Sequence, residues 1–304
     1  IQMTSSTYEN YNYANAINRN HGLFSELEQS KIKNSTVAIA GVGAVGGNYL
    51  ITLARMGVGH FKIADLDIFE EGNLQRQAGA FISSINKNKV DVMATMIKDI
   101  NPNVIIETFS SGVTPENIDE FLMDADVVLD GIDAFQIGPR RLLYKKAKEK
   151  GLYVIISAPK AYGATLQIFD PKGMSFDQYF NIRDTMTRAE QIAVFLLGLA
   201  PSIFTKNQID ESKIDFEEEK APALASTVAL STGVVTSEVL KILLQREKPW
   251  CIPHAFYLDA YHWKFEHSKR RPLRFKWLQN IVIKIVFKRC PSLKRLHLNE
   301  KNCV

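Results

Sequence analysis

The 304 residues are 46% hydrophobic and 23% charged, with three cysteines and a formal charge of +4. That composition belongs to an ordinary globular chain with enough core to need no covalent staples, and it excludes a disordered or collagen-like protein. Cys251, Cys290 and Cys303 form no C-x-x-C pair, which excludes a disulfide framework and a four-thiolate zinc site within one chain, so a reducing cytoplasm is the expected setting.

In chain order, residues 1–12 read as a loose polar segment and Ala14 to Lys33 as a helical approach, with Ser25 and Glu28 spaced as a capping box. Val37 to Ala40 is a short apolar strand, followed by Gly41, Gly43 and Gly46 in G-x-G-x-x-G spacing. From Gly47 to Arg55 the residues Leu50, Ile51 and Ala54 recur at helical spacing, which aims a helix N-terminus at whatever sits over the glycines. Gly57 and Gly59 end that helix. Phe61 to Ala64 is a second strand, with Asp65 and Asp67 at its carboxyl end. By its parts this is a nucleotide pocket. An ordinary βαβ unit with closely packed glycines, or the NAD site of a dehydrogenase, uses the same arrangement.

Glu70 to Gln77 is a polar loop, and a helix from about Lys87 to Ile100 stops at Asn101-Pro102. A strand over Val104–Phe109, a helix over Pro115–Met123 and a strand over Val127–Leu129 lead to Asp130-Gly131-Ile132-Asp133. A basic helix, Pro139–Lys150, and a strand, Leu152–Ser157, continue the alternation. Alternation of this kind predicts an α/β fold with a doubly wound, mostly parallel, Rossmann-like sheet. Ala164–Phe169 reads as a further strand, about 171–222 as a crossover excursion, and Pro222–Gln245 as a closely packed helix. Phe256–Leu258 and Trp263–Phe265 read as edge strands that extend the sheet antiparallel. Residues 269–304 form a tail with eleven Lys or Arg against one acid, Glu300, so the rest of the chain is net acidic. No charged-then-apolar leader and no uninterrupted apolar run of spanning length is read, so neither export nor a transmembrane helix is expected.

The segment DLDIFEEGNLQRQ, Lys89 sixteen positions after Asn73, and the later VVLDGIDA resemble the ThiF/MoeB/E1-like adenylating family, over residues 15–165 most specifically and more loosely to about 266. Members of that family attach AMP to a carboxylate. The resemblance implies ATP and Mg2+ as cofactors and a homodimer in which an arginine near the N-terminus completes the partner's site; Arg19 is the matching residue. Moving AMP requires cations around the triphosphate as pyrophosphate leaves, and Arg76 and Lys89 are the cations in place. Asn73 is expected to hold phosphate or the reacting carboxylate, Asp133 to carry the magnesium or orient the phosphates, and Asp65 to hold the ribose. Asp67 and Gln77 complete the nucleotide set. A surface salt bridge for Arg76, a solvated first-turn position for Lys89 and simple loop stiffening for Gln77 are the structural alternatives.

The chain departs from the family in having no paired C-x-x-C zinc motif and no cysteine before residue 251, so a thioester or persulfide relay lacks its nucleophile. That points to the zinc-less branch that tailors ribosomally made peptides, of the microcin C7 and pantocin A type. The expected substrate is then a glutamate side chain or the terminus of an acidic precursor peptide. Activation of a ubiquitin-like or sulfur-carrier protein is one alternative, and an NAD-dependent oxidoreductase or a non-catalytic nucleotide-binding regulator is another. Lys269, Arg270, Arg271, Arg274 and Lys276 are placed to draw in an acidic peptide. Phe275 to Phe287 reads as a segment docked on its own domain, ahead of one lying on an anionic membrane, and nucleic-acid binding is not expected. The organisation expected is a segment 1–34 serving the partner's site, an adenylating domain 35–268 and a basic tail 269–304.

Overall fold

A computed structural model describes residues 11–199, 208–210, 213–269 and 276–302. Two compact units emerge: residues 1–131 with 232–249, and residues 132–231 with 250–304. The described residues carry nine strands in a mixed α/β, Rossmann-like fold, as expected from the alternation.

In the first unit β1 (Thr36–Ala40) lies between β2 (His60–Ala64) and β4 (Val127–Asp130), with β3 (Ile105–Phe109) outside β2 and every pair parallel. β1 and β4 are buried along nearly their whole length, as strands covered on both faces must be, which is why they read as apolar runs rather than alternating ones. The register pairs Ala40 with Ala64 and with Asp130. Strands that start and stop together put Gly41, Asp65 and Gly131 along one edge. The chain leaves β1 toward β2 on one side and later returns to β4 on the other, and ligand crevices of open α/β sheets form at such a reversal.

The helices of this unit follow from their apolar spacing. α3 (Ala44–Arg55) buries Tyr49, Leu50 and Leu53, α4 (Lys89–Ile100) buries Val90, Met93 and Ile97, and the short α5 (Ile118–Phe121) buries Ile118 and Phe121. The N-terminal approach is broken into α1 (Tyr13–Ala16), a single 3-10 turn (Asn18–Asn20) and α2 (Glu26–Asn34), because Gly22 turns the chain at φ +92°. The Ser25–Glu28 capping box is present. Glu28 also accepts Arg246 Nε at 2.6 Å, and that hydrogen bond holds its carboxyl down to about 2.

The second unit is antiparallel. β5 (Tyr153–Ile156) pairs with β7 (Gly163–Phe169), against which the two-residue β6 (Pro159–Lys160) also folds, and β8 (His254–Asp259) and β9 (Lys264–Lys269) extend the sheet as a hairpin. The chain turns straight back after Ser157 with no crossover helix, and without one a following strand can only pair antiparallel. Against this sheet α6 (Ile137–Glu149), α7 (Phe176–Phe180) and α8 (Arg188–Leu199) gather an aromatic core, in which Phe180 lies 4.7 Å from Phe176 and 5.0 Å from Phe195. The tail folds as α10 (Lys276–Arg289) and α11 (Pro291–Asn302). Cys290, between them, is buried and Cys251 half-buried; Cys303 lies outside the described residues. So do Arg270, Arg271 and Arg274, three of the basic residues expected to draw in a peptide.

Helix α9 (Ala225–Leu244) has the length and mean hydropathy of a membrane span, although its serines and threonines interrupt every apolar run. Those hydroxyls are bonded within the protein: Ser231 donates to Ser157 Oγ at 2.6 Å and Thr236 to Thr232 O at 2.8 Å. A core helix of small residues passes the same length and hydropathy test as a span.

Candidate active site

The glycine turn is built by contact rather than by flexibility alone. Gly41 has φ +83°, and its N–H donates to Ala64 O at 2.7 Å. A Cβ on Gly46 would stand 1.8 Å from Gly41 O, and one on Gly131 would stand 2.4 Å from the same oxygen and 3.1 Å from Gly46 Cα. Three glycines from two separate stretches thus pack backbone on backbone. Gly131 was not among the sequence candidates; the signal available was its place directly after β4, at the register level of Gly41. Gly43 is the N-cap of α3 and supplies no side-chain acceptor, so the first N–H groups of the helix stay available to an anion.

Asp65, at the end of β2, accepts Val42 N–H at 2.8 Å through Oδ2 and Asp67 N–H at 3.0 Å through Oδ1. Each carboxylate oxygen retains a second lone pair, enough to accept a ribose hydroxyl. Burial pushes the Asp65 carboxyl above its ordinary range, against the pull of Lys89 and of the two amides.

Lys89 is the first residue of α4 and only 6% exposed. Its Nζ lies 2.8 Å from Asp67 Oδ2, and its N–H donates to Asp67 O at 3.0 Å. The loop between them closes on itself, with Phe69 N–H donating to Lys87 O and Asn86 N–H to Phe69 O, each at 2.9 Å. That closure explains the long spacing from Asn73 to Lys89: the loop leaves and returns at one point on the sheet edge. A solvated first-turn lysine does not describe this residue.

Within the loop, Asn73 Oδ1 accepts Glu70 N–H at 3.1 Å and Arg76 Nη1 donates to Gly72 O at 2.9 Å, so both side chains shape their own turn. Gln77 is buried, its amide 3.6 Å from where a Gly43 Cβ would stand, and its Oε1 has no hydrogen-bond partner. An orphaned amide against the glycine turn needs a partner from outside, and either end of it suits a nucleotide. With the free end of α3 and the glycine cradle, this residue set fits a nucleoside triphosphate.

Contacts therefore join Gly41, Gly43, Gly46, Asp65, Asp67, Gln77 and Lys89 in one cluster, with Asn73 and Arg76 on the loop that carries Gln77. Arg19 is exposed in its 3-10 turn, outside that chain of contacts; the neighbouring Asn20 side chain is tied to Gln29 and to Met56 O. Asp133 belongs to the second unit, is exposed, and accepts Phe135 N–H at 3.0 Å. The loop that carries it is held by Arg140, a fully buried guanidinium that donates to Ile132 O and to Asp133 O and lies 4.5 Å from the Phe195 ring centroid. Among the described residues no three His, Cys, Asp or Glu side chains cluster as a resident metal requires.

The ThiF family profile matches residues 16–275. A tRNA threonylcarbamoyladenosine dehydratase of Bacillus subtilis (strain 168) is 33% identical over 165 residues, 53% of this chain and 64% of that protein. A probable molybdopterin-synthase adenylyltransferase of Porphyra purpurea is 28% identical over 187 residues, 60% of this chain and 48% of that protein. The matched stretch is less than two thirds of either relative. Among solved structures, E. coli MccB with AMPCPP and MccA superposes at a TM-score of 0.64 with 17% identity, covering 88% of this chain and 74% of that one. PaaA superposes at 0.61 with 21% identity and the same two coverages. At those identities the likeness is one of fold.

Proposed function

The chain belongs to the ThiF family, and from that premise we propose that it activates a carboxylate by ATP-dependent adenylation. In this reading a carboxylate oxygen attacks the α-phosphorus of ATP, the bond to the bridging oxygen breaks, and pyrophosphate leaves with its electron pair. Asp65 accepts the ribose hydroxyls, the open end of α3 faces the phosphates, and Lys89 with Arg76 offsets the negative charge that grows on the departing pyrophosphate. Asn73 hydrogen-bonds phosphate or carboxylate, Gln77 closes the nucleotide against Gly43, and Asp133 holds magnesium; the last assignment rests on the sequence resemblance alone.

The observation that carries the reading is Lys89: a buried cation tied through Asp67 and Asp65 to the glycine turn. A dinucleotide site has no use for a buried ammonium beside the ribose acid, whereas triphosphate cleavage does.

The substrate we propose is an acidic, ribosomally made peptide activated at a glutamate side chain or its terminus, in a cytoplasmic setting. The absence of any cysteine before residue 251 supports it, as does the fold shared with MccB, whose solved complexes include MccA. Activation of a small carrier protein is the second reading, favoured by the adenylyltransferase relative. ATP–pyrophosphate exchange separates them: exchange driven by a glutamate-rich peptide and abolished in Lys89→Met supports the first, exchange driven only by a Gly-Gly-ended carrier supports the second, and exchange with neither removes both.

The organisation into a partner-serving segment 1–34, a catalytic body 35–268 and a tail 269–304, as a homodimer, belongs to the same proposal. Arg19 is exposed, as a residue offered to a partner must be. If it works across the dimer, mixing Arg19→Ala with Lys89→Met protein restores exchange that neither has alone, because the mixed dimer keeps one complete site. No restoration after subunit exchange would confine Arg19 to its own subunit, and wild-type exchange by Arg19→Ala alone would place it outside the reaction.

A further inference from the structure

Helix α10 is docked by one face and exposes apolar side chains on the other. Gln279, Ile283 and Phe287 are buried; the Gln279 amide donates to Asn181 O at 2.7 Å and accepts from Arg183. Leu293 and His297 of α11 continue this inner face, with His297 Nδ1 2.9 Å from Thr187 Oγ1. On the outer face Trp277, Ile281 and Ile285 recur every fourth residue and are 60%, 47% and 51% exposed. Docking needs one apolar stripe, and this helix has two.

Lys284, Lys288 and Arg289 are exposed on the same outer arc. Helix α10 contains no acid. The only acid of α11, Glu300, accepts the backbone N–H of Ala189 at 3.1 Å and so is turned inward. Further along α11, Lys294 and Arg295 are exposed as well, Arg295 pairing with Glu217 at 3.6 Å.

We propose that this outer face is a docking surface for an anionic phospholipid bilayer, with α10 lying in the plane of the interface. Trp277, Ile281 and Ile285 enter the acyl boundary, while Lys284, Lys288 and Arg289 extend their stems along it to the headgroup phosphates. Charge complementarity selects this occupant. A second copy of the face would bring cations against cations with no acid on α10 to meet them. From Trp277 to Ile285 the stripe runs about 12 Å along one helix, which has no free strand edge for an extended peptide to pair with. The proposal stands independently of the adenylation reading.

The test is co-sedimentation of the full chain with vesicles of phosphatidylcholine alone and of equimolar phosphatidylcholine and phosphatidylglycerol. Binding is expected to the mixed vesicles only, weakening as salt is raised. Each of Lys284→Gln and Lys288→Gln is expected to lower the affinity about fivefold, and Ile281→Ser with Ile285→Ser to abolish binding. A second readout leaves the stripe intact: in Trp250→Phe/Trp263→Phe protein, Trp277 fluorescence shifts to the blue on mixed vesicles alone. No binding to mixed vesicles, equal binding by the isoleucine variant, no fluorescence shift, or a solution dimer that the isoleucine variant dissociates would each overturn the proposal.

Discussion

In the first unit Lys89, Asp67 and Asp65 form a chain of contacts that ends on the backbone of Val42, beside a buried amide with an orphaned oxygen. In the second unit, by contrast, Arg141 closes on Asp177 at 2.6 Å and on Asp184 at 2.7 Å, Arg188 closes on Glu219, and Arg140 of α6 donates to two carbonyls of the loop before the helix. The contrast follows from strand direction. Parallel strands bring all their carboxyl ends to one edge, so the loops that leave them, and any polar residues on those loops, converge. Antiparallel strands send successive loops to opposite edges, so no such convergence forms, and Arg141 and Arg188, on α6 and α8, are taken up by acids 31 to 43 positions away in the chain. Chemistry is therefore expected to be concentrated in the first unit, and changes of the same kind made in the two units should have unlike outcomes.

The largest effect is expected from Gly46→Ala. Its Cβ has 1.8 Å to Gly41 O where none is available, so unfolding free energy should fall by about 3 kcal/mol and nucleotide binding should be lost. Denaturant unfolding with and without AMP measures both, and wild-type values would show that the turn tolerates a side chain. Next is Lys89→Met, expected to slow pyrophosphate exchange about 100- to 1,000-fold while leaving the thermal midpoint close to wild type. An equal loss of stability and activity would make Lys89 a structural residue.

A smaller effect concerns pH. The Asp65 carboxyl is raised above the ordinary value of about 4 by burial, so the fold favours its protonated form. Its contribution to stability is present below that ordinary value and is lost as pH rises through the raised one. Nucleotide affinity runs the other way, because the ionised carboxylate accepts the ribose hydroxyls. The AMP dissociation constant should therefore begin to rise on acidification above the ordinary carboxylate range in wild type and stay flat in Asp65→Asn; identical profiles would remove Asp65 from the site. The smallest effect is Gly138→Ala in α6. Beyond its chain neighbours nothing lies within 4 Å of the new methyl group, but Pro139 disfavours a helical residue with a Cβ before it, so the two effects oppose and the change should move stability by less than about 1 kcal/mol without altering exchange. A loss of activity there would weaken the contrast between the units.

Much of the first unit was legible because its signals are local. Strand, glycine turn, helix and acid occupy about thirty consecutive residues and constrain one another through periods of 2 and 3.6. The capping box at Ser25 and Glu28 was equally plain, being a contact between residues three apart. The tail was not: Phe275–Phe287 has apolar residues at so many positions that no single face stands out, and only the packing of Ile283 and Phe287 reveals Trp277, Ile281 and Ile285 as a second one. The antiparallel pairing of Tyr153–Ile156 with Gly163–Phe169 was likewise not assigned, since an apolar run reads alike in parallel and antiparallel pairing.

The sequence alone was sufficient for the βαβ unit, for the family resemblance carried by its loop, and for the uneven charge of the tail, all of which depend on neighbours in the chain. Tertiary structure decided that Gly131 closes onto Gly41 and Gly46, that Lys89 returns to Asp67, and that α10 leaves a second apolar stripe exposed. Those are contacts between residues tens of positions apart, formed when closing a long loop is offset by burial elsewhere, and no local period encodes that balance.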